Sequence, residues 1–366
     1  MSDAAGLLVR RDDLHATRWS DDHAVASAAL PDGGVRLRVT SFALTSNNVT
    51  YAAFGESMRY WDFFPADEPG WGRVPVWGFA DVLESRCAGV ERGERLYGYW
   101  PMASHALLQP VDVGVSGFVD GAPHRHELHP LYNRYRRCRT DPGYEARHEA
   151  EQALLQPLFA TAFLIDDVLA EQGFFGAESV LLSSASSKTA YATAYCIGQR
   201  EQRPRLVGLT SAGNLGFAQS LGCYDEVIVY DEVAAQPLRP AVYVDFAGSA
   251  PLRASVHHHW ADALGYSCAV GGTHWEELGG AGGLPGPRPQ LFFAPAQMKK
   301  RQADWGSAGL QQRIAQRWLA FVQRVTDPAA PWLLPVHRQG RDAVRAAWLE
   351  LLEGRSDPRQ GLMLGL

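Results

Sequence analysis

The spacing of apolar residues changes near residue 145 and divides the sequence into two parts. Before that point, short β-like runs lie between glycines and prolines, at residues 35–40, 74–79 and 95–99. Many short strands separated by turn residues predict an irregular β-barrel rather than a parallel sheet. Residues 111–140 are rich in His, Arg, Gly and Tyr and show weak periodicity, so we predict a loop or insertion there rather than a core element.

From Glu145 to Leu169 apolar residues recur every three or four positions, which predicts a helix. Strands and helices then alternate, and this alternation predicts a parallel, doubly wound α/β sheet. The predicted strands cover residues 179–183, 205–210, 226–230, 241–246 and 267–271. The predicted helices cover residues 188–199, 212–221, 251–264, 310–325 and 342–352. A Gly- and Pro-rich stretch at 279–289 predicts an exposed loop.

Composition narrows the class of protein. The 366 residues suffice for two domains, and 46% hydrophobic with 20% charged residues is typical of a soluble globular protein. A net charge of −6 without a basic stripe disfavours nucleic acid as a partner. We expect no signal peptide and no membrane span, hence a cytoplasmic protein. The five cysteines are scattered without a C-x-x-C pair, which predicts free thiols.

The turn between the first predicted strand and helix of the sheet reads Ser-Ser-Ala-Ser-Ser-Lys-Thr over residues 183–189. A helix N-terminus offers free N–H groups and the positive end of a dipole, so this turn predicts a site for a phosphate-bearing ligand. The proposed contacts are Ser184, Ser186, Ser187, Lys188 and Thr189. An ordinary N-capped helix is the alternative, because Ser is a preferred cap. A P-loop would require glycine at Leu182 and Ser187, so only the Lys-Thr pair matches it.

Four segments resemble the medium-chain dehydrogenase/reductase superfamily. Residues 41–48 resemble its ALNPxD stretch, 93–98 its GDRVYG turn, 221–228 its LGADHVI segment and 244–248 its D-x-x-G segment. The zinc-free quinone reductase and enoyl reductase branch is the most similar. Residues 46–51 and 60–65 further resemble a side family catalogued as DUF2855.

The resemblance implies an architecture and a cofactor. Residues 1–150 would form a GroES-like β domain with an insertion at about 111–140, residues 151–300 a Rossmann-like domain, and residues 301–366 a segment closing back on the first domain. NADP(H) would bind at the sheet. The Cys and His sets of the zinc-dependent members are missing, so no metal is expected. A homodimer is implied, with the strand at 267–271 pairing across a two-fold axis.

Thr210, Ser211 and Asn214 follow the second predicted strand. NAD-specific enzymes place an acidic residue there to hold the ribose hydroxyls, and a carboxylate would repel a 2′-phosphate. Hydroxyl and amide side chains at these positions favour NADP over NAD. The alternative is a plain Ser/Thr cap of the next helix.

Asn47, Asn48, Tyr51 and Tyr60 align with residues that line the nicotinamide in the resembling proteins. Tyr51 or Tyr60 would donate a proton to, or orient, the enolate formed when hydride adds to an enone or enoyl thioester. The alternative is that both tyrosines simply pack beside their aromatic neighbours. A pocket for a hydrophobic acyl, polyketide or quinone substrate, free or carrier-bound, would be walled by Trp61, Phe63, Phe64 and Trp77.

Other polar clusters have competing interpretations. His124, His126 and His129 suggest a metal site, but a surface insertion fits their spacing better. The arginines nearby, at 134, 136, 137 and 139, would suit an acidic carrier or a phosphopantetheine arm, or form a solvated loop. The histidine run at 257–259 suggests a helix face, and Asp245 is either a ligand or a turn cap.

Together these features predict an NADPH-dependent reductase of an activated double bond or quinone. Two alternatives stay open. The first is a relative that has lost redox chemistry and acts as an acyl hydrolase or lyase, although the G-x-S-x-G elbow is absent. The second is a non-enzymatic NADPH-binding protein.

Overall fold

The structure is a computed structural model that describes residues 4–270, 283–355 and 357–366. It divides into two units, one made of residues 1–154 and 333–366 and the other of residues 155–332. The predicted C-terminal segment 301–366 is therefore split, because residues 301–332 lie in the second unit and only residues 333–366 lie in the first.

Strands and helices are numbered along the chain. The strands of the described residues are β1 (Ala5–Arg10), β2 (Thr17–Asp21), β3 (Val35–Leu44), β4 (Trp71–Gly72), β5 (Pro75–Ser85), β6 (Arg95–Pro101), β7 (His105–Leu108), β8 (Pro110–Gly114), β9 (Gly117–Asp120), β10 (Arg134–Arg137), β11 (Ser179–Leu182), β12 (Arg205–Thr210), β13 (Glu226–Val229), β14 (Ala241–Asp245), β15 (Leu264–Ala269), β16 (Gln290–Leu291), β17 (Leu334–Gln339) and β18 (Gln360–Gly365). The α-helices are α1 (His23–Ser27), α2 (Ser46–Ala53), α3 (Glu149–Glu171), α4 (Lys188–Gly198), α5 (Leu215–Ser220), α6 (Ala250–Trp260), α7 (Ala294–Val325) and α8 (Arg341–Leu352).

The first unit is built around one large sheet. Its order is β17-β18-β3-β5-β6-β10-β9-β8, β7 also pairs with β3, and β1 lies between β2 and β4 in a separate small sheet. The predicted strands at 35–40 and 95–99 are confirmed as parts of β3 and β6, and the strand predicted at 74–79 is confirmed from Pro75 onward, where β5 begins. One face of α8 carries Val344, Ala347, Trp348 and Leu351 into the core, at the three- and four-residue spacing of an amphipathic helix.

The prediction that residues 111–140 form no core element is wrong for much of this segment. β10 pairs with β6 on one side and β9 on the other, and Phe118 and Tyr135 are buried. The segment looked solvated because of its arginines, but Arg125 forms a buried ion pair with Asp120 at 3.0 Å. An arginine whose charge is balanced by a carboxylate can be buried inside a fold. A charged residue in the sequence therefore does not by itself indicate a solvent-exposed side chain.

The second unit contains a six-stranded sheet in the order β13-β12-β11-β14-β15-β16, and every pair of neighbours is parallel. The predicted doubly wound sheet is therefore confirmed. Strand order reverses at β11, which lies between β12 and β14, and open α/β sheets bind ligands beyond the carboxyl ends of the strands at such a point.

Two expectations for the far edge of this sheet need revision. The strand predicted at 267–271 lies within β15 as far as Ala269, and its last residue is outside the described part of the chain. β16 pairs with the outer side of β15, so β15 is not the edge strand that the dimer prediction assumed. The predicted loop at 279–289 also lies partly outside the described residues.

Two long helices complete the description. Residues 146–171, which include α3, are long and apolar enough to cross a membrane, but 67% of the apolar window is buried in the fold, as in the core helix of a globular protein. α7 begins well before the predicted start at residue 310, and Gly306 interrupts it with a φ of +72°. That break divides the apolar periodicity, which is why the sequence pattern showed only the second half of the helix.

Candidate functional site

The Ser-rich turn lies where the sequence analysis placed it, directly after β11 and at the start of α4. Ser187 is the N-cap residue, and its side chain accepts a hydrogen bond from the Ala190 N–H at 3.4 Å. Lys188 and Thr189 are the first two helical residues and are partly exposed. The capped-helix interpretation is thus confirmed, and it leaves the helix N-terminus pointing beyond the carboxyl edge of the sheet, where an anion is stabilised.

Ser184 adopts a left-handed backbone conformation with a φ of +51°. Its carbonyl accepts from the Ser187 N–H at 2.7 Å, which closes the turn. A residue with a side chain is strained by roughly 1–2 kcal/mol in this region, so the neighbouring structure must hold it there. Strain of this kind concentrates where a backbone is shaped to meet a ligand.

Residues of β12 and Tyr224, which precedes β13, hold the turn in place. The Ala185 N–H donates to the Leu209 carbonyl at 3.0 Å, and the Tyr224 hydroxyl donates to the Ala185 carbonyl at 2.8 Å. Gly208 allows this approach, because a Cβ there would lie 2.9 Å from the Ala185 Cβ. The conformation of the turn is therefore fixed by contacts within the second unit.

Tyr230 is a residue that the sequence analysis missed. It follows β13 directly, and the backbone of Ser184 is close enough to its hydroxyl to lower the pKa of the phenol. Burial raises the pKa of Tyr230, so the phenol stays neutral. Its position beyond the end of a parallel strand is the signal that would have found it, because all such ends meet at one edge of the sheet.

The residues after β12 separate into two groups. Thr210 is 1% exposed, and its hydroxyl has no hydrogen-bond partner among the described residues. Ser211 is exposed, Asn214 is partly exposed, and the Asn214 N–H donates to the Ser211 carbonyl at 3.0 Å. Only Ser211 and Asn214 therefore present side chains to solvent at this position.

Asp245 is a turn cap, which decides between its two earlier interpretations. One oxygen accepts from the Ala247 and Gly248 N–H groups and from the Ser183 hydroxyl, at 2.9 to 3.1 Å. The other accepts from Arg253 Nε at 3.0 Å, and both charged side chains are almost completely buried. The network joins the ends of β11 and β14 and makes Ser183 structural as well.

A separate cluster of aromatic residues lies in the first unit, and we call it the aromatic cluster. Its buried members are Tyr51, Tyr60, Phe63, Tyr99 and Leu128, and its partly buried members are Phe64, Trp77 and Tyr132. The rings of Tyr99 and Tyr132 have centroids 4.7 Å apart, and those of Tyr51 and Tyr60 are 4.6 Å apart. Three members, Tyr99, Leu128 and Tyr132, were not among the predicted site residues, and two of them come from the segment predicted to be an insertion.

Trp61 was predicted to line the pocket, and that prediction is wrong. Its indole is 1% exposed and packs in the main core of the first unit instead. A Cβ at Gly55 would lie 2.1 Å from the indole nitrogen, and one at Gly72 would lie 2.3 Å from the ring. The two glycines leave space for the Trp61 ring, which packs in a different cluster from its neighbours Tyr60 and Phe63.

Tyr51 has the most polar surroundings in the aromatic cluster. Its hydroxyl oxygen accepts from Asn47 Nδ2 at 2.7 Å and from Trp77 Nε1 at 3.4 Å. Burial raises the pKa of Tyr51, while hydrogen bonds from Trp77, Tyr132 and Asn47 oppose that shift. A phenol that keeps its proton and accepts two N–H donors has that proton available for a further partner.

Asn48, by contrast, serves the fold. Its side-chain oxygen accepts from the Thr45 N–H at 2.7 Å, at the start of α2, and its amide nitrogen donates to the Pro75 carbonyl at 2.9 Å. It is 3% exposed. Both ends of the amide are committed within the first unit, which argues against the predicted contact with a cofactor.

The histidines bond to the main chain. His124 contacts the Phe63 carbonyl, His126 the Gly121 carbonyl and His129 the Leu131 N–H. Within the described residues, no group of three or more His, Cys, Asp or Glu side chains is arranged to hold a metal ion. In the second unit His257 is buried against Ser267 and the Pro285 carbonyl, as expected of a packed helix face.

Most arginines of the same segment are paired. Arg136 contacts Asp141 at 3.0 Å, and both Arg137 and Arg139 contact Glu94. These carboxylates neutralise the segment, which argues against its use as a basic surface for an acidic carrier.

The fold and this geometry define a two-unit α/β protein with a strained, Ser-capped turn at the carboxyl edge of a Rossmann-like sheet. Residues 42–357 match the family model described as "Protein of unknown function (DUF2855)". The chain belongs to that family. No curated protein matches it in sequence.

Solved structures extend the comparison to the fold. CurA of Vibrio vulnificus in complex with NADPH is 12% identical with a TM-score of 0.57, and 99% of each chain is covered. The quinone oxidoreductase of Coxiella burnetii is 14% identical with a TM-score of 0.54, over 99% of each chain. The yhdH oxidoreductase of Salmonella enterica in complex with NADP is 17% identical with a TM-score of 0.54, also over 99% of each chain. At these identities the likeness shows the fold, which comprises a GroES-like β unit and a Rossmann-like unit.

Proposed function

We propose that this protein is an NADP(H)-dependent reductase of an activated double bond or quinone that works without zinc. The observation that carries the proposal is the strained, capped turn at residues 184–189, which lies at the carboxyl edge of a parallel sheet where strand order reverses. Dinucleotides bind at this place in such sheets. Two proteins of the same fold were solved with NADPH or NADP bound.

The turn supplies groups suited to phosphate. Serine hydroxyls and backbone N–H groups at the start of α4 would hold the pyrophosphate, and the Lys188 ammonium group would bind the 2′-phosphate of NADP(H), which NAD(H) lacks. Ser211 and Asn214 would lie beside the adenosine ribose, where the absence of a carboxylate at 210–214 accommodates a 2′-phosphate. Tyr230 would join this set, because its hydroxyl is close enough to the Ser184 backbone for that backbone to lower the pKa of the phenol.

The aromatic cluster of the first unit holds the candidate proton donor. When bound, reduced nicotinamide provides hydride to an electron-poor carbon, and the negative charge left on the substrate needs a proton donor. Tyr51 would be that donor, since it is protonated and has two N–H groups on its oxygen. The partly buried rings of Phe64, Trp77 and Tyr132 would contact a hydrophobic conjugated substrate.

Cofactor binding is tested with the purified protein. NADPH and NADH are titrated separately by fluorescence energy transfer and by thermal shift, with wild type, Lys188→Ala and Lys299→Ala. Lys299 is an exposed lysine of α7 and serves as the matched control. We expect NADPH to bind more tightly than NADH, Lys188→Ala to weaken NADPH about tenfold, and Lys299→Ala to change neither. Equal small effects of Lys188→Ala on both nucleotides would contradict the 2′-phosphate assignment.

Turnover is tested separately with a panel of enones, enoyl thioesters and quinones, in the presence and absence of a chelator. Consumption of NADPH that the chelator leaves unchanged supports the proposal. Binding of NADPH without oxidation across the panel would favour a non-enzymatic NADPH-binding protein. Absence of binding would favour a redox-inactive relative such as an acyl hydrolase or lyase. Sedimentation of the same sample tests the implied homodimer.

A further inference from the structure

Tyr132 connects the two tyrosines that were the predicted proton donors. Its hydroxyl lies 3.4 Å from the Tyr60 hydroxyl, and it is close enough to the Tyr51 hydroxyl to lower the pKa of that phenol. Its ring meets that of Tyr51 edge-on, with centroids 6.2 Å apart. The Tyr132 hydroxyl is therefore a third polar group near the Tyr51 oxygen, beside the N–H groups of Asn47 and Trp77 that donate to it.

The segment around Tyr132 is built to hold it. The Asn133 side chain donates to the Arg125 carbonyl at 3.1 Å, and the Arg125 guanidinium pairs with buried Asp120. Arg125 also lies 4.4 Å from the centre of the Phe64 ring, a cation–π contact that ties the segment to the aromatic cluster. The ion pair, the hydrogen bond from Asn133 and the contact with Phe64 together hold residues 125–133 against their neighbours. These contacts therefore hold the Tyr132 hydroxyl in a defined position within the aromatic cluster.

We propose that Tyr132 is a positioning residue that donates its hydroxyl proton in a hydrogen bond to the Tyr51 oxygen and so stabilises the tyrosinate formed when Tyr51 gives up its own proton. This inference rests on the proposed reductase function for its chemistry. In that step the O–H bond of Tyr51 breaks and a C–H bond forms at the substrate carbanion. The electron pair of the O–H bond stays on the Tyr51 oxygen, and water later returns the proton.

A hydrogen-bond donor beside the Tyr51 oxygen lowers the free energy of ionising that phenol. Burial opposes ionisation of Tyr51, so in an apolar setting the phenol would be too weak an acid to use. Each hydrogen bond to a charged oxygen offsets part of that cost. Asn47 and Trp77 are fixed N–H donors, and the Tyr132 hydroxyl is the one member of the set that rotates to donate only when Tyr51 is charged. Tyr132 therefore acts on the ionised form more than on the ground state.

The test measures Tyr51 directly and requires no turnover. A fluorinated tyrosine is placed at position 51 in the full chain, which brings ionisation of that phenol into a measurable pH range, and its absorbance is followed by titration. Tyr132→Phe, Tyr60→Phe and Tyr99→Phe are each combined with it. Tyr99 is the matched control, because its ring is fully buried in the same cluster while its hydroxyl has no hydrogen-bond partner among the described residues.

We expect Tyr132→Phe to raise the pKa of the fluorinated residue by about one unit, the loss of one hydrogen bond to a charged group. Tyr60→Phe should raise it less, and Tyr99→Phe should leave it unchanged. Equal shifts for Tyr132→Phe and Tyr99→Phe, or no shift for Tyr132→Phe, would overturn the proposal. A shift in a protein that oxidises no NADPH would separate the two claims, since the positioning role would stand and the reductase would not.

Discussion

Asn47 Nδ2 donates to the hydroxyl oxygen of Tyr51 over 2.7 Å, one helical turn apart in α2. The two residues are adjacent because positions four apart share a helix face. The contact fixes the orientation of the phenol and occupies one of its acceptor sites. The Tyr51 proton is thereby directed away from Asn47, which is the arrangement that a general acid requires.

Replacement of Tyr51 tests that arrangement in catalysis. Tyr51→Phe should lower kcat about 100-fold, at the lower end of what a general acid contributes, because the proton must then come from water. Affinity for NADPH should hold within about twofold, since the phosphate contacts lie in the turn after β11. Steady-state kinetics and a binding titration check both values, with Tyr99→Phe as the control. Unchanged kcat would move the role to Tyr60 or to solvent.

Ser184 should tolerate glycine and reject a β-branched residue. Its φ of +51° is costly for any side chain, whereas glycine adopts it readily at the expense of more freedom in the unfolded chain. Ser184→Gly should change the free energy of unfolding by less than about 1 kcal/mol, and Ser184→Val should lower it by roughly 1–3 kcal/mol. Urea unfolding of both variants measures the difference, and equal stabilities for Gly and Val would show that the turn is not held in this conformation.

The Asp245–Arg253 pair should be the most sensitive polar contact of the second unit. Asp245→Asn leaves the buried guanidinium of Arg253 without its counter-charge, and we expect a loss of about 3–5 kcal/mol in the free energy of unfolding. Glu226→Gln is the control, because its ion pair with Arg205 is exposed to solvent and should contribute less than about 1 kcal/mol. Similar losses in the two variants would mean that burial does not decide the energy.

His257 should make the protein acid-labile. Burial lowers the pKa of its ring, which is held neutral between the Pro285 carbonyl and the Ser267 hydroxyl, with Arg253, Asp245 and His258 nearby. The unfolded state then binds a proton that the folded state refuses, so stability is complete above the unfolded pKa and falls as the pH drops below it. Urea unfolding at about pH 8 and about pH 5.5 should show a smaller acid loss for His257→Gln than for wild type or the exposed-site control His258→Gln. An unchanged acid loss would contradict this.

Local patterns predicted the second unit well. When strands are buried on both faces and each is followed by a helix, a parallel sheet is the stable arrangement. The Ser187 cap of α4 can be recognised from the four residues at the start of the helix alone. The position of Ser184, Lys188 and Thr189 at the sheet edge follows from that topology alone. Tyr230 escaped notice because its contact with Ser184 depends on which strands become neighbours.

The aromatic cluster was only half predicted, for reasons of long-range contact. Arg137 meets Glu94 and Arg125 meets Asp120, so charges that looked solvated are matched inside the fold. The ring of Tyr132 lies edge-on to that of Tyr51, a contact between distant sequence positions that no local pattern indicates. Trp61 packs outside the aromatic cluster because Gly55 and Gly72 leave space for its indole in the main core of the first unit.

The central claim is that the turn at residues 184–189 binds the phosphates of NADP(H) through hydroxyl and ammonium groups. The most direct measurement is a crystal structure determined with NADPH, supported by titration of the same protein preparation with NADPH in solution. The account predicts density for the pyrophosphate against the N-terminus of α4 and for the 2′-phosphate within reach of Lys188, Ser211 or Tyr230. A turn whose own side chains fill that space, or a different molecule bound there, would contradict it.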